Sequence, residues 1–250
     1  YAGVGKSDKE IYHALQLGIE AFNCESLQEI YVINEMAHVH GLKANVSVRI
    51  NPDIDAHTHK YVTTGLYENK FGISQHEFDK LIDIIKKSEH INFIGLHFHI
   101  GSQITRVDEV FALECQRVND IVAYFERNGL KVDNINLGGG LGVDYDDPDE
   151  NPVADFGTWF RTISENIVRR EDQTVHVEPG RSLVAQCGTL ISRVLFVKSG
   201  ETKNFLIMDA GMNDLIRPAL YGAYHKIENL SAEMRTFFPT HQAYDIVGPV

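Results

Sequence analysis

Apolar positions along the chain alternate between two spacings. Short runs rich in β-branched and aromatic residues, such as Ala44–Ile50, Phe93–Ile100 and Val132–Leu137, are separated by stretches in which apolar residues recur three and four apart. The first spacing suits strands and the second suits one face of a helix. Two S-x-x-E signatures mark helix starts: Ser7–Glu10 ahead of Ile11, Ala14 and Leu15, and Ser26–Glu29 ahead of a helix ending near Gly41. Ser74-Gln75-His76-Glu77 is expected to cap a third helix, reaching about Ser88. Val107–Asn128, closed by Gly129, forms a fourth with Val110, Phe111, Val118, Ile121 and Val122 on one face, and a fifth spans about Asp155 to Arg169. Strands are predicted at Tyr1–Gly5, Glu20–Cys24, the three runs already named, and Val175–Val177, where the alternating valines suit a buried strand ended by Pro179-Gly180. Residues 52 to 70 read as a long polar loop.

Strands alternating with helices through short links predict a parallel sheet covered by helices. Six strands are two short of a closed (βα)8 barrel. Beyond Ala185 the rhythm changes: Thr189–Lys198 and Phe205–Asp209 are strand-like with no helix between them. The fold class is therefore α/β: an incomplete (βα)8 TIM-type barrel over residues 1–185, with about six of eight strands, followed by part of a β-rich domain over 186–250.

Composition narrows the partners. A net charge of -12 argues against a surface for nucleic acid or anionic membrane, so any anionic ligand must be held by a few local cations. Cys24, Cys115 and Cys187 show no C-x-x-C spacing and no disulfide framework, which favours a reducing, cytoplasmic compartment. No apolar run approaches the roughly 20 residues of a membrane span.

The candidate chemistry lies where predicted strands end. Glu178 and Arg181 flank the Pro179-Gly180 turn. A carboxylate there can keep a bound pyridine nitrogen protonated, and an arginine offers a planar fork to phosphate or carboxylate. His97 and His99 share one face of their strand, which allows two readings: an H-x-H metal pair, or a single imidazole, His99, lying on a cofactor ring with Ser102 on a phosphate. Gly138-Gly139-Gly140-Leu141-Gly142 follows a strand without the spacing of a Rossmann or P-loop motif, yet its backbone could close around a phosphate. Three consecutive strands thus carry an imidazole, a glycine nest and a carboxylate–arginine pair at their carboxyl ends.

With Asn51-Pro52-Asp53, Asn69-Lys70-Phe71-Gly72-Ile73, His99-Ile100-Gly101-Ser102-Gln103, Asn136-Leu137-Gly138-Gly139-Gly140, Glu178-Pro179-Gly180-Arg181 and Arg217-Pro218-Ala219-Leu220-Tyr221, the chain resembles the bacterial diaminopimelate decarboxylases over essentially all of its 250 residues. These are group IV pyridoxal-phosphate decarboxylases of alanine-racemase-like fold. The resemblance implies a pyridoxal 5'-phosphate enzyme that converts meso-2,6-diaminopimelate to L-lysine and CO2, working as a cytoplasmic homodimer with a shared site. It implies cofactor contacts from His99, Ser102, Gly138, Gly139, Gly140, Glu178, Gly180 and Arg181, and substrate contacts from Arg181, Arg217 and Tyr221, with no metal. Arg217 and Tyr221, four apart, would share a face if their segment is helical. The family's Schiff-base lysine and catalytic cysteine are expected outside this chain, so the 250 residues by themselves are expected to be inactive. Lys43-Ala44-Asn45 copies the tripeptide around that lysine, but it precedes a strand matching a later one, and Lys6 is equally misplaced. Same-fold decarboxylases of ornithine, arginine or carboxynorspermidine are the nearest alternatives; a non-catalytic cofactor-binding module and a metal-dependent hydrolase barrel are more distant ones.

Overall fold

The computed structural model describes residues 1–54, 70–231 and 242–250. By contact the chain divides into two units, Tyr1–Val143 with Ala154–Leu183, and Asp144–Val153 with Val184–Val250.

The first unit is built on a parallel sheet of β1 (Phe22–Cys24), β2 (Ala44–Arg49), β3 (Ile91–His97), β4 (Asn134–Asn136) and β5 (Thr174–His176), paired in that order. Helices α1 (Asp8–Leu17), α2 (Leu27–Val39), α3 (Phe78–Lys87), α4 (Val107–Arg127) and α5 (Phe156–Asn166) alternate with the strands. Val46, Val48, Leu96 and Ile135 on the sheet are wholly buried, as are Ile30, Leu81, Phe111, Val118, Phe125 and Trp159 on the helices. Each such side chain contributes about 1.5–3 kcal/mol by leaving water.

The expected parallel α/β sheet is present, with five strands rather than six. Tyr1–Gly5 forms no strand. Its pairing with β1 is confined to Tyr1, whose carbonyl accepts from the Asn23 N–H at 2.9 Å and whose amino group donates to the Ala21 carbonyl at 2.7 Å. Gly3, at φ +122, and a turn at Val4-Gly5 then carry the backbone away. Val175 and Val177 are half-buried rather than buried, because β5 ends the sheet order and pairs only with β4. Helix α5 stops at Asn166, where Ile167 turns extended, three residues before the expected end.

The second unit holds an antiparallel pair, β6 (Val194–Ser199) and β7 (Asn204–Met208), with β8 (Asp245–Val247) parallel to β7. The strand periodicity had not indicated β8, and β6 starts five residues later than expected. Two short helices complete the elements, α6 (Arg181–Val184) and α7 (Arg217–Tyr221). Among the described residues no helix is long and apolar enough to cross a membrane. Most of the predicted polar loop, and Asn69 of the motif quoted above, lie outside the described residues.

Candidate active site

Parallel strands send all their carboxyl ends to one edge, and three of those ends converge here. β3 runs through His97 into His99 and the turn at Gly101-Ser102-Gln103, β4 runs through Asn136 into the glycines, and β5 runs into Glu178. Backbone bonds lash the three exits together. Phe98 N–H donates to the Asn136 carbonyl at 2.7 Å, Glu178 N–H to the Gly138 carbonyl at 2.6 Å, and Ile104 N–H to the Gly140 carbonyl at 2.9 Å. Glycine is obligatory at this convergence. A Cβ on Gly138, which sits at φ +69, would lie 2.2 Å from the Phe98 carbonyl oxygen, and one on Gly139 would lie 2.2 Å from that of Glu178. Gln103 takes the left-handed region without being glycine, at φ +62, and is held there by its amide, which donates to the Val143 carbonyl at 2.6 Å and accepts the Val143 N–H at 3.2 Å.

His99 is half-buried and accepts the Gly139 N–H on Nδ1 at 3.1 Å. Burial, then the positive charge of Arg49, lowers its pKa to about 4. It is therefore a neutral ring at ordinary pH, with its proton assigned to Nε2 by the bond on Nδ1. Glu178 is a different case. Its Oε2 lies 3.4 Å from Nε2 of the fully buried His97, and its Oε1 accepts from the Asn136 amide at 2.8 Å. The histidine contact is long and poorly aligned for a hydrogen bond. His97 foremost, with Asn136, holds the Glu178 carboxyl at about 2, while part of the side chain stays open to solvent. Arg181 donates from Nε and Nη2 to the Ser102 hydroxyl at 3.2 and 3.1 Å, placing a fixed cation and a hydroxyl together across 79 residues of sequence.

His99, Ser102, Gly138, Gly139, Gly140, Glu178 and Arg181 thus form one constellation. Gly180 lies in the Glu178–Arg181 turn, where a Cβ would meet nothing within 4 Å. The amides of Gly138 and Gly139 are engaged within the chain, by Asn136 Oδ1 and His99 Nδ1, so the glycines supply clearance more than free donors. Sequence reasoning quoted Asn136 without a role and weighed His97 only as a metal ligand. Their position at strand ends was the available signal. Among the described residues no group of three histidine, cysteine or acidic side chains is placed to hold a metal, which leaves the H-x-H reading without a third ligand.

Along the same edge, at the ends of β1 and β2, a buried ion pair joins Arg49 Nη1 to Glu25 Oε1 at 2.8 Å, and Glu25 Oε2 accepts the Gly72 N–H at 3.0 Å. Lys6 is buried, its ammonium given to the carbonyls of Gly3 and Asn23 at 2.8 Å and to Glu29 at 2.5 Å. Lys43 is exposed and precedes β2, at the amino-terminal edge of the sheet opposite the constellation. Burial raises the Cys115 thiol to about 12 and the Cys24 thiol well above its ordinary range, so both are poor nucleophiles; Cys187 is exposed.

Arg217 and Tyr221 belong to the second unit. The segment is helical, and the Arg217 guanidinium lies 5.6 Å from the Tyr221 ring and 4.9 Å from the Tyr145 ring. Its Nε donates to His225 Nε2 at 3.3 Å. Neither Tyr145 nor His225 stood out in the sequence.

Residues 1–185 match the family described as pyridoxal-dependent decarboxylase, pyridoxal binding domain. Over its whole length the chain is 52% identical to a diaminopimelate decarboxylase of Bacteroides thetaiotaomicron, covering 63% of that protein, and 42% identical to one of Neisseria meningitidis serogroup A, covering 59%. Among solved structures it is similar to a mutant diaminopimelate decarboxylase from Helicobacter pylori complexed with L-lysine, at a TM-score of 0.86 and 40% identity, covering 99% of this chain and 60% of that one. The chain spans about three fifths of the length of the relatives it matches.

Proposed function

The chain belongs to the pyridoxal-dependent decarboxylases through their pyridoxal-binding domain, and on that premise we propose that the protein carrying it decarboxylates meso-2,6-diaminopimelate to L-lysine and CO2. The observation that carries the reading is the pairing of an ionised carboxylate, Glu178, with an arginine–hydroxyl clamp, Arg181 and Ser102, formed from the exits of β5 and β3 on either side of β4. The names of relatives at 42–52% identity supply the substrate.

The residues present fit pyridoxal phosphate. Glu178 suits a protonated ring nitrogen, Arg181 with Ser102 suits a phosphate or carboxylate, and the flat neutral imidazole of His99 suits a ring face. Gly138, Gly139 and Gly140 let the strand exits approach more closely than any Cβ would allow, and Gly180 lies in the Glu178–Arg181 turn. When bound, the cofactor supplies an electron-accepting pyridine ring for the electron pair left by departing CO2. Glu178 holds a proton at the ring nitrogen, and it can do so throughout the physiological range because it remains a carboxylate down to about 2. His97 and Asn136 aim that carboxylate. His99, being neutral, adds no positive charge against a protonated ring. Arg181, Arg217 and Tyr221 are assigned to the carboxylates of the substrate, an amino acid with two of them. We assign the protein to the cytoplasm, in line with a cysteine spacing that shows no disulfide framework, and to a homodimer with a shared site, as the resemblance implies.

The test uses the complete protein with pyridoxal phosphate, measuring CO2 release from diaminopimelate, ornithine, arginine and carboxynorspermidine. Diaminopimelate is expected to be preferred. Glu178→Gln is expected to lower kcat by about 10²–10³-fold while cofactor absorbance is retained. Preference for ornithine would overturn the substrate assignment, and undiminished turnover in Glu178→Gln would overturn the role of the carboxylate.

A further inference from the structure

Arg217 is held on three sides, by Tyr221 of its own motif and by Tyr145 and His225, which no motif marked. Its guanidinium lies against the Tyr145 and Tyr221 rings, and Tyr145 itself makes an edge contact with His225, with centroids 5.3 Å apart. Its Nε donates to His225 Nε2. An arginine Nε–H can only donate, so His225 must accept on Nε2 and carry its proton on Nδ1. An imidazolium has no acceptor nitrogen. Protonation would therefore replace a hydrogen bond at 3.3 Å by two cations at that distance.

We infer that His225 and Tyr145 are positioning residues for Arg217, and that protonation of His225 releases the guanidinium and weakens capture of the substrate carboxylate. This rests on the reading of Arg217 as a carboxylate-binding residue. Among the described residues, the titratable groups in contact with the imidazole are Arg217 of α7 and Tyr145 of the 144–153 loop, and its neighbour in sequence is Lys226. Lys226 is paired with both Asp149 and Glu228, the latter at 2.8 Å, which leaves Arg217 as the charge in contact with the ring. Burial first, and then the charge of Arg217, lowers the pKa of His225 and keeps it the acceptor at neutral pH. Two stacked phenol rings do not restrain an arginine in rotation about its own axis, whereas a directed bond at Nε does. His225 thereby sets which edge of the fork, Nη1 and Nη2, is left for an anion.

The experiment follows KM and kcat for diaminopimelate against pH in the complete protein loaded with pyridoxal phosphate. In the wild type, KM is expected to rise as pH falls from neutrality toward about 5, with kcat changing less. His225→Phe is expected to raise KM about tenfold at neutral pH, the loss of one charge-assisted hydrogen bond. Tyr145→Leu is expected to raise it by a smaller factor. His225→Asn retains an acceptor that cannot be protonated, so it should keep KM near the wild-type value at neutral pH and hold it flat into the acid range. An acid rise in KM that persists in His225→Asn would overturn the inference, as would an unchanged KM in His225→Phe. Should His225→Phe fail to fold, the wild-type and Asn profiles still decide. A readout independent of turnover is the ¹⁵N resonance pattern of the His225 imidazole at neutral pH. The Nδ1–H tautomer is expected, and the Nε2–H tautomer would sink the proposal even in an active enzyme. Failure of the wild type to decarboxylate diaminopimelate would instead overturn the functional reading, leaving the tautomer to decide how Arg217 is held.

Discussion

At the scale of the residue, Glu114 behaves least like its type. It is completely buried on α4, and neither carboxyl oxygen has a hydrogen-bond partner among the described residues. Burial raises its pKa well above the ordinary 4.5, so the group is carried as a neutral acid. The sign follows from linkage: the folded state binds a proton that the unfolded state releases, so the contribution of this residue to stability is complete below about 4.5 and declines as pH rises toward the folded value. Glu114→Leu, apolar and of similar size, is expected to raise Tm by about 2–4 °C at mildly alkaline pH and to change it little near pH 4.5, as followed by thermal melts at both. A larger gain at acid than at alkaline pH would refute the assignment. The position was legible in the sequence, because Glu114 falls on the helical stripe that includes Phe111, Val118 and Ile121. What could not be read was that neither oxygen would find a hydrogen-bond partner among the described residues.

Elements show how much a local signature can promise. The S-x-x-E pattern occurs at Ser7–Glu10, Ser26–Glu29 and Ser74–Glu77, and it yields three outcomes. At α1 the capping box is complete: Ser7 accepts the Glu10 N–H, and Glu10 accepts the Ser7 N–H at 2.8 Å. At α2 Ser26 accepts the Glu29 N–H, but Glu29 is drawn away to the Glu25 N–H and to Lys6, so the reciprocal half is missing. At Ser74 the chain enters a 3-10 turn, Gln75–Glu77, with no side-chain cap, and α3 starts at Phe78. A buried ammonium competes for a nearby carboxylate more strongly than an exposed cap does, which accounts for the second case. Ser7→Ala is expected to cost about 1 kcal/mol and Ser74→Ala less than about 0.5 kcal/mol, measured by denaturant unfolding. Equal costs would show that the cap at Ser7 contributes nothing particular.

At the scale of the whole molecule, the charge of -12 sets the background for any anion that approaches Arg181 or Arg217. No binding to duplex DNA is expected at about 0.1 M salt, where fields reach only about 10 Å. A mobility shift at micromolar protein would contradict this. The order of strands and helices, the glycines after β4 and the Glu178–Arg181 turn were determined by the sequence, because periodicity, caps and glycine conformations are local properties of the chain. The fifth strand's partial exposure, the loss of Tyr1–Gly5 as a strand, the contact of His97 with Glu178, the clamp of Arg181 on Ser102 and the seat of Arg217 against Tyr145 and His225 were decided only by the tertiary structure. Those contacts join residues as many as about 80 positions apart. Their geometry depends on how strand ends and loops pack together, which no local pattern of residues encodes.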